Sequence, residues 1–463
     1  MRSSSADKNA LKRLMYGRVA QVGLFFLTML LIAVIGLLIP LRPTYSELEE
    51  RQLKSFPSFS AESLVSGTFF DEINEWYEDT FPMRGMWVQL NSSIKQLYGA
   101  TSTNVYGEVQ DRVDIPEPVK PTTPPTTSTT PNDSTDQGST TSPVTDTTSA
   151  GIKPPSNNGA PAESLGAILK IGDSAFEYYN FSQSQADRYA AIVNRTADRL
   201  NGTAKVYVTV IPTSIEICLD EKTRAGLSSD DQAAAIRYHY GMMTDRVTTI
   251  DAYDALSNAF ANGEYIFFRT DHHWTALGAY RTYERYCAAA GLTPTPLSAF
   301  EYKEFPDYLG SFYRSTTAPE MKANPDIVQA YVPPSTNTMD LTDQNGETFE
   351  YPIIADVSEW AETGKYYTFI GSDNPLCVID NPNVEDGRCC VLVKESFGNA
   401  YAPFLTENYD KVYVVDYRYF SNVDGRSLEQ LVRDVGADDV LFLNNISATR
   451  NEGLIDCLDY LAR

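Results

Sequence analysis

The sequence has few groups that exchange a proton near neutral pH, since only three of its 463 residues are histidine. Cationic side chains are also scarce, because 37 Lys and Arg residues stand against 61 Asp and Glu residues, and the formal net charge is −24. Nucleic-acid binding requires clustered Lys and Arg for the phosphates. This charge balance therefore argues against nucleic acid as a partner.

Cysteines are few and scattered along the chain. The six are Cys218, Cys287, Cys377, Cys389, Cys390 and Cys457. Their spacing does not match the paired ligands of a zinc site, and most of them are predicted to be small buried hydrophobic residues. We expect neither a metal nor an organic cofactor.

The sequence does contain one long uncharged run, residues 19–41. At about 1.5 Å per residue, a helix over this run would reach roughly 34 Å, and the hydrocarbon core of a bilayer is about 30 Å thick. Basic residues precede the run, so the positive-inside rule predicts that residues 1–18 are cytoplasmic and that the body lies outside the cell. Because the run exceeds a typical signal-peptide core and no A-x-A-like cleavage site follows, we expect an uncleaved single-pass anchor in the cell membrane.

Three further regions follow the predicted anchor. Residues 42–115 are predicted to form a membrane-proximal helical collar that packs on the main domain, because apolar residues recur there at helical spacing. Residues 116–161 are mostly Pro, Thr, Ser, Asn, Asp and Gly, which predicts a disordered linker. Residues 162–463 alternate short β-rich runs such as "KVYVTVIP" with helical patterns, which predicts an α/β domain with a mostly parallel sheet.

Two of the three histidines stand together in "FFRTDHHWTALGAY", residues 267–280. A general base is one interpretation of His273, because an imidazole exchanges protons near neutral pH. Asp271 could orient that ring from two residues away if the backbone is not helical, and His272 would then point elsewhere. The alternative is that Asp271 caps a helix that begins near Trp274.

Two serines are candidates for a nucleophile. In "VLVKESFGNAYAPF" a buried strand precedes Ser396, and Gly398 falls where the chain turns into a helix. Ligands of open α/β sheets bind at the carboxyl ends of strands, where helix amide groups can receive an oxyanion. Ser174 is the competitor, because Gly172-Asp173-Ser174 matches the tripeptide that opens many SGNH-type esterases.

The string "RTDHHWTALGAY", together with "EWYEDTFPMRG" and "VKESFGNAYAPFL", resembles the signature of the DHHW family. That family is similar to the alginate O-acetylation proteins, which are SGNH-hydrolase-like domains that work beside a membrane-bound O-acyltransferase. The resemblance implies an SGNH-hydrolase-like, flavodoxin-like α/β fold. It also implies a circularly permuted motif order, because the Asp-x-His-Trp motif precedes the serine.

Carried onto this chain, the resemblance implies a triad of Asp271, His273 and Ser396, and it favours Ser396 over Ser174. It also implies that Trp274 completes a substrate-binding motif.

The strand end "DVLFLNNIS" occupies the place of the usual oxyanion-donating asparagine, so Asn444 or Asn445 is the expected donor. Two residues depart from the SGNH pattern. Lys394 stands where that motif has glycine, and Glu395 stands where it has aspartate.

The function that the resemblance implies is O-acetylation of a cell-surface or exported polysaccharide by an outward-facing acyltransferase. A multipass membrane-bound O-acyltransferase is the expected partner, because acetyl-coenzyme A is cytoplasmic. One alternative is a polysaccharide acetylesterase that uses the same residues with water as the acceptor. Another is a non-catalytic carbohydrate-binding or assembly protein that retains the fold.

Overall fold

The computed structural model describes residues 45–46, 51–52, 56–57, 69, 73, 76–77, 80, 112–120, 153–156, 159–160, 162–165 and 167–463. The chain divides into two units, Met1–Ser102 and Thr103–Arg463. The predicted anchor, residues 19–41, lies outside the described residues. Among the helices of the described part, none combines the length and apolar character that crossing a bilayer requires.

Little of the first unit is described. A short antiparallel pair joins β1 (Tyr45–Ser46) to β2 (Arg51–Gln52). The apolar positions that predicted a helical collar have helical backbone and half-buried side chains: Phe69, Ile73, Trp76 and Tyr77. The Trp76 ring meets the edge of Phe56 with 4.8 Å between ring centroids.

The second unit contains the remaining elements. The strands are β3 (Ala162–Leu165), β4 (Ile168–Ile171), β5 (Ser174–Glu177), β6 (Lys205–Ile211), β7 (Val247–Thr249), β8 (Glu301–Tyr308), β9 (Asp326–Val332), β10 (Thr338–Thr342), β11 (Thr348–Pro352), β12 (Leu376–Asp380), β13 (Cys389–Lys394), β14 (Lys411–Asp416) and β15 (Asp439–Asn445). The α-helices are α1 (Gln183–Arg199), α2 (Ser214–Cys218), α3 (Glu221–Ala225), α4 (Gln232–Gly241), α5 (Ala252–Ala261), α6 (Ala276–Ala290), α7 (Ser311–Thr316), α8 (Pro319–Ala323), α9 (Phe397–Leu405), α10 (Phe420–Val423), α11 (Leu428–Val435) and α12 (Glu452–Leu461). Short 3-10 helices cover Leu297–Ala299, Glu362–Thr368, Thr406–Asn408 and Ala448–Arg450.

The main sheet is mixed, with strand order β11-β10-β12-β14-β13-β15-β6-β7. The five strands from β14 to β7 are parallel, and β11, β10 and β12 form an antiparallel edge. The prediction of a mostly parallel sheet therefore needs correction at this edge. The physical reason is the short connection between β10 and β11, which contains Gly346 with φ of +82°. A tight turn of this kind joins antiparallel neighbours, whereas parallel strands require a long crossover.

Helices cover both faces of the parallel strands. Along β6, Val206, Val208 and Val210 pack toward α1, α4, α11 and α12, while Tyr207 and Ile211 pack toward the layer that contains α5, α6 and α9. This burial on two faces explains why β13 and β15 are continuous apolar runs and not alternating ones. All six cysteines are free thiols in the described part of the chain, and five of them are buried.

The segment from residue 112 to 120 has no regular secondary structure and contacts the elements of the α/β unit. The backbone N–H of Val113 donates to the Asp230 carboxylate at 2.7 Å, and the Lys120 ammonium lies 2.5 Å from the Asp245 carboxylate. Pro118 is so close to Gly241 that a Cβ there would overlap its ring. The disordered linker predicted over residues 116–161 stays a prediction, but Pro118 and Lys120 in its first five residues make contacts that composition did not reveal. Residues 121–152 lie outside the described part.

Candidate active site

Ser396 lies at the turn between β13 and α9, at the carboxyl edge of the parallel strands. Every residue of β13 is buried, and Ser396 directly precedes the first residue of α9. The backbone N–H of Ser396 takes part in no hydrogen bond within the described part of the chain. An N–H in this position at a helix start is available to a developing negative charge.

The loop that carries the histidine pair is closed by an antiparallel bridge between Phe267 and Trp274. Its backbone is not helical, so the side chain at 271 turns back toward residue 273. The helix α6 that follows is capped by Thr275, whose hydroxyl accepts from the Gly278 N–H at 3.3 Å. Asp271 is therefore not the helix cap.

The structure brings Asp271, His273 and Ser396 into one hydrogen-bonded chain. The Nδ1 of His273 lies 2.6 Å from Oδ1 of Asp271, and the Nε2 of His273 lies 2.8 Å from the Oγ of Ser396. Because the ionised carboxylate accepts at Nδ1, the proton of the neutral ring resides there and Nε2 is the acceptor. The serine hydroxyl therefore donates to an imidazole that is ready to take its proton.

The Asp271 carboxylate is buried and fully engaged. Its Oδ1 also accepts from the backbone N–H of His273 at 2.9 Å, and its Oδ2 accepts from the N–H of Ser311 at 2.7 Å. Burial alone would raise the pKa of this carboxyl, but the neighbouring His273 and His272 together with the hydrogen bonds hold the pKa of Asp271 well below its ordinary value. The group is therefore ionised throughout the neutral range.

The sequence led us to expect that His272 points away from the site. In the structure it lies within the site. Its ring lies against that of His273, with 3.8 Å between centroids, and its Nδ1 is 2.6 Å from the Oγ of Ser311. The His272 side chain is 20% exposed. Burial of the rest of the ring, followed by the charge of His273, lowers the pKa of His272 to about 4. His272 is therefore a neutral companion of His273 near neutral pH.

Trp274 lies in the interior of the described site, and the substrate-binding role that the resemblance implies for it stays a prediction. Its side chain is fully buried, and the indole N–H donates to the carbonyl of Phe397 at 2.9 Å. The ring also stacks near Tyr401 with an interplanar angle of 11°. Trp274 thus links the histidine loop to the first turn of α9, which fixes the position of His273 relative to Ser396.

The two candidate oxyanion asparagines differ in their surroundings. The Oδ1 of Asn444 accepts from the Tyr189 hydroxyl and its Nδ2 donates to the Tyr417 hydroxyl, each at 3.0 Å. Asn444 is 1% exposed and its amide is hydrogen-bonded at both ends, while the oxyanion role that the sequence predicts for it stays a prediction. Successive residues of a strand face opposite sides of the sheet, which explains why Asn445 has different neighbours.

Asn445 lies next to the serine turn, because its backbone N–H donates to the Glu395 carboxylate at 2.8 Å. The Oδ1 of Asn445 accepts from the N–H groups of Ser447 and Ala448. Its Nδ2 takes part in no hydrogen bond among the described residues. Of the two asparagines, Asn445 is the one that retains a donor.

The two departures from the SGNH motif have structural explanations. Lys394 is fully buried, its Nζ lies 2.6 Å from Asn399 and 2.8 Å from Asp416, and its stem occupies the space that a Cβ at Gly398 would need. The SGNH motif has glycine at the position of Lys394, and here Gly398 leaves the space that the longer Lys394 side chain occupies.

Glu395 reinforces the same turn. Its Oε2 accepts from the N–H of Phe397 at 3.0 Å and lies 3.2 Å from the Ser396 hydroxyl. Burial raises the pKa of Glu395 above its ordinary value despite the N–H donors from Phe397 and Asn445. A carboxylate therefore supports the turn here as well, one methylene longer than the usual aspartate.

Ser174, the competing serine, is not part of this arrangement. Gly172 has φ of +62° and forms the tight turn between β4 and β5, so the tripeptide does not precede a helix. The Ser174 hydroxyl lies 3.3 Å from Asp173, and within the described residues it makes no hydrogen bond to His273. The Asp173 carboxylate binds Arg269 at 3.1 Å, which is a structural role.

Three residues near the site could not be found from the sequence. Tyr366 stacks on His273, and Gly310 and Ser311 support Asp271. All three fall in an irregular stretch without helical or strand periodicity, so no pattern marked them.

One group of potential metal ligands occurs among the described residues, namely Asp271, His272 and His273. The ligand atoms of this group already hydrogen-bond one another or Ser311 and Ser396. A bound ion would have to displace these hydrogen bonds, so the arrangement fits proton transfer better than metal binding.

The fold and the site together define an α/β protein with a serine, histidine and aspartate aligned at the carboxyl edge of its parallel strands. The sequence model of the DHHW protein family matches residues 49–120 and 136–415, which is more than half of the chain. The chain therefore belongs to the DHHW family. Among curated proteins, none matches this sequence.

Solved structures with a similar fold include a DHHW family protein from Eubacterium siraeum, with 25% identity and a TM-score of 0.56, covering 63% of this chain and 94% of that one. PatB1 from Bacillus cereus is also similar, with 17% identity and a TM-score of 0.51, covering 62% of this chain and 98% of that one. A second structure of PatB1 contains a sulfonyl adduct and shows 16% identity, a TM-score of 0.50 and the same coverage. These likenesses support the assignment of the fold.

Proposed function

We propose that this chain is a membrane-anchored, outward-facing, SGNH-like O-acyltransferase that acetylates a cell-surface or exported polysaccharide. The observation that carries the proposal is the hydrogen-bonded chain from Asp271 through His273 to Ser396, with links of 2.6 and 2.8 Å. These distances match those of a serine activated by a general base. The motif resemblance to the alginate O-acetylation proteins supports acyl transfer as the reaction.

In the first half of the reaction, the Oγ of Ser396 attacks the carbonyl carbon of an acyl ester while its proton passes to Nε2 of His273. Asp271 stabilises the imidazolium that forms, because its carboxylate accepts the hydrogen bond from Nδ1–H. Collapse of the tetrahedral intermediate breaks the ester bond of the donor. His273 then gives the proton to the departing oxygen, and Ser396 carries the acyl group.

The backbone N–H of Ser396 and the Nδ2 of Asn445 are the proposed oxyanion donors. Both belong to the turn region that the Glu395 carboxylate holds through the N–H groups of Phe397 and Asn445. Because the Phe397 N–H is committed to Glu395, it does not contribute to the oxyanion site. Two fixed donors facing the oxyanion supply electrostatic stabilisation without reorganisation.

In the second half, a sugar hydroxyl gives its proton to His273 and attacks the acyl carbon on Ser396. The bond between the acyl carbon and the Ser396 Oγ then breaks, and His273 returns its proton to that Oγ, which gives an O-acetylated sugar and the regenerated serine. Water in place of the sugar would give the acetylesterase reaction with the same residues. The acyl donor is proposed to come from a membrane-bound O-acyltransferase partner, since residues 42–463 are proposed to lie outside the cell.

A sulfonyl fluoride tests the activated serine without knowledge of the natural substrate, and a sulfonyl adduct is present in one PatB1 structure. We expect the reagent to label the purified chain once, on the peptide that contains Ser396, and to abolish hydrolysis of an aryl acetate. Ser396→Ala should prevent labelling, while Ser174→Ala, the matched control, should not.

Transfer and hydrolysis are then separated by adding acetylated donor and polysaccharide acceptors to the same assay. Acetyl groups that appear on the acceptor support the transferase, and their removal from an acetylated polysaccharide supports the esterase. Labelling at Ser174, or no labelling at any serine, would contradict the proposed site.

A further inference from the structure

The imidazole of His273 lies between two other rings. Tyr366 stacks on it with 4.1 Å between ring centroids and an interplanar angle of 12°. The ring of His272 lies 3.8 Å away at a tilt of 38°. Two rings this close cannot share one face of an imidazole, so Tyr366 and His272 cover opposite faces.

The two ring nitrogens are fixed by the triad itself, since Nδ1 meets Asp271 and Nε2 meets Ser396. The imidazole is therefore held at both nitrogens and on both faces. Hydrogen bonds at the two nitrogens restrict rotation of the imidazole about the line through those nitrogens only weakly, because the angular tolerance of a hydrogen bond is broad. Contacts on both faces restrict the rotation that the two hydrogen bonds leave open.

Tyr366 contacts the nucleophile as well as the base. Its hydroxyl donates to the backbone carbonyl of Ser396 at 3.2 Å. The residue is 5% exposed and belongs to the 3-10 helix Glu362–Thr368, whose Glu362 carbonyl accepts from the N–H of Leu309 at 3.0 Å. One rigid side chain therefore sets the distance between the imidazole plane and the serine turn.

His272 is anchored by the residue that also supports the acid. The Ser311 Oγ lies 2.6 Å from His272 Nδ1, and the Ser311 N–H donates to Asp271. The face of His273 opposite Tyr366 is therefore covered by a ring whose position is coupled to that of the Asp271 carboxylate.

We propose that Tyr366 and His272 form an aromatic clamp that positions the His273 imidazole for proton transfer, and that the Tyr366 ring stabilises the imidazolium formed in that step. The inference rests on the proposed function of the triad. The electron-rich face of a tyrosine attracts a cation above it. His272, whose pKa is lowered to about 4, is neutral under these conditions and does not oppose the charge.

The titratable groups around the imidazole come from four elements. They are Asp271 and His272 in its own loop, Tyr366 in the 3-10 helix, Asp373 in the loop before β12, and Glu395 in the turn before α9. A substitution of Tyr366 by leucine or phenylalanine leaves the carboxylates and His272 in place. A change in proton affinity at His273 would then report the loss of the ring.

The first test compares Tyr366→Leu with Tyr366→Phe in the full-length chain, with aryl acetate hydrolysis as the assay. Leucine keeps the space apolar but removes the ring, so we expect kcat to fall roughly 10- to 100-fold with little change in KM. The rising limb of the pH–rate profile should move to lower pH by about half to one unit, because the imidazolium loses its stabilisation. Phenylalanine keeps the stacked ring, so the limb should not move and kcat should fall less than about tenfold.

Tyr367→Leu is the matched control, because Tyr367 lies on the same 3-10 helix and its ring meets Trp360. We expect neither its rate nor its pH profile to change. A Tyr366→Leu variant with the wild-type rate and limb would overturn the clamp. So would equal losses in the phenylalanine and leucine variants, since these would indicate a structural role alone.

A second measurement does not depend on activity. Because the chain has three histidines, 13C-histidine labelling gives few Cε1–H signals, and the His273→Ala variant assigns one of them. In Tyr366→Leu we expect the pH midpoint of that signal to fall by about half to one unit. An unmoved midpoint overturns the clamp. A shifted midpoint in a chain that shows neither ester hydrolysis nor acyl transfer would refute the proposed function and retain the clamp.

If Tyr366→Leu fails to fold, the other face of the imidazole supplies the comparison. His272→Phe retains a ring beside His273, and His272→Leu does not. We expect a larger loss of kcat for leucine than for phenylalanine, and equal losses would overturn the role of His272 in the clamp.

Discussion

Gly310 lies against the Asp271 carboxylate without room for any side chain between them. A Cβ at residue 310 would overlap both the Cβ and the carboxylate of Asp271. The Gly310 N–H donates to the Thr270 hydroxyl at 3.1 Å, and the next N–H, from Ser311, donates to Asp271. The acid of the site is therefore positioned by the close approach of a backbone segment.

Gly310→Ala should displace Asp271 and lower activity. We expect kcat for ester hydrolysis to fall on the order of 100-fold, since about 1 Å of misplacement costs this much. Overpacking of this kind costs about 1–3 kcal/mol of folding free energy. Gly425→Ala is the matched control, because no neighbouring atom would meet a Cβ at that position. An unchanged rate in Gly310→Ala would show that the carboxylate has space to move without consequence.

Ser396→Ala and His273→Ala should each remove ester hydrolysis and acyl transfer while the fold persists. We expect each change to lower kcat by roughly 10³-fold or more, and the double variant to lose little beyond either single one, because the two residues act as a unit. Ser174→Ala is expected to keep its activity. Multiplicative losses in the double variant would contradict a shared proton-transfer step.

Substitution of the two asparagines should show which of them is the oxyanion donor. Asn445→Ala removes the proposed oxyanion donor, so we expect kcat to fall roughly 10²- to 10³-fold. The same change removes the oxygen that accepts from the N–H groups of Ser447 and Ala448, which should cost about 1–3 kcal/mol of stability, so kcat and not melting temperature separates the two asparagines. Asn444→Ala breaks the buried hydrogen bonds to Tyr189 and Tyr417 and should cost about 1–3 kcal/mol of stability. The reverse pattern would assign the oxyanion role to Asn444.

The parallel part of the fold was predictable because burial on both faces leaves a clear signal. The apolar runs of β6, β13 and β15 became neighbouring strands of one sheet. The antiparallel edge was not predictable, because β10 to β12 lie in a stretch rich in Tyr and Pro where strand and loop patterns are alike. Pairing there depends on the turn after β10 and on contacts with β14, which are tertiary features.

At the site, the residues proposed to carry the chemistry were recognisable by type and motif, and the structure places Asp271, His273 and Ser396 in one hydrogen-bonded chain. The residues that support them were not recognisable. Gly310 matters only because a carboxylate from another segment approaches it, and Tyr366 only because its ring meets His273. The contacts of Pro118 with Gly241 and of Lys120 with Asp245 were likewise not recognisable from composition.

The proposed orientation predicts that protease added to intact cells removes residues 42–463. The basic residues before the apolar run motivate this expectation. A cytoplasmic protein that remains intact is the control for membrane integrity. If an epitope at the C-terminus stays protected until the cells are lysed, the body lies on the cytoplasmic side and the acyl donor would not need to cross the membrane.

The burial of His239 leads us to predict that the stability of the folded chain depends on pH. The ring is 1% exposed, its Nε2 lies 3.0 Å from the Thr449 hydroxyl, and its Nδ1 has no hydrogen bond among the described residues. The Thr449 hydroxyl donates to the Ile446 carbonyl at 2.9 Å, so it accepts from Nε2–H and the neutral ring fits this position. Burial lowers the pKa of His239 to about 4.

The sign of the effect follows from the two states. The unfolded chain binds a proton at His239 below about pH 6.5, whereas the folded chain binds it only near pH 4. The contribution of His239 to the free energy of unfolding is therefore fully present above about pH 6.5 and is lost as the pH falls toward 4. It changes no further below about pH 4. The shift corresponds to about 3 kcal/mol.

Denaturant unfolding followed by tryptophan fluorescence, repeated between pH 7 and pH 4, measures this loss. His239→Gln keeps a side-chain N–H donor for Thr449 and does not titrate, so its free energy of unfolding should decline less over this range, by about 3 kcal/mol. Other titrating groups are common to both proteins and cancel in the difference. Parallel pH profiles for the two proteins would mean that the folded chain accepts a proton at His239 as readily as the unfolded one does.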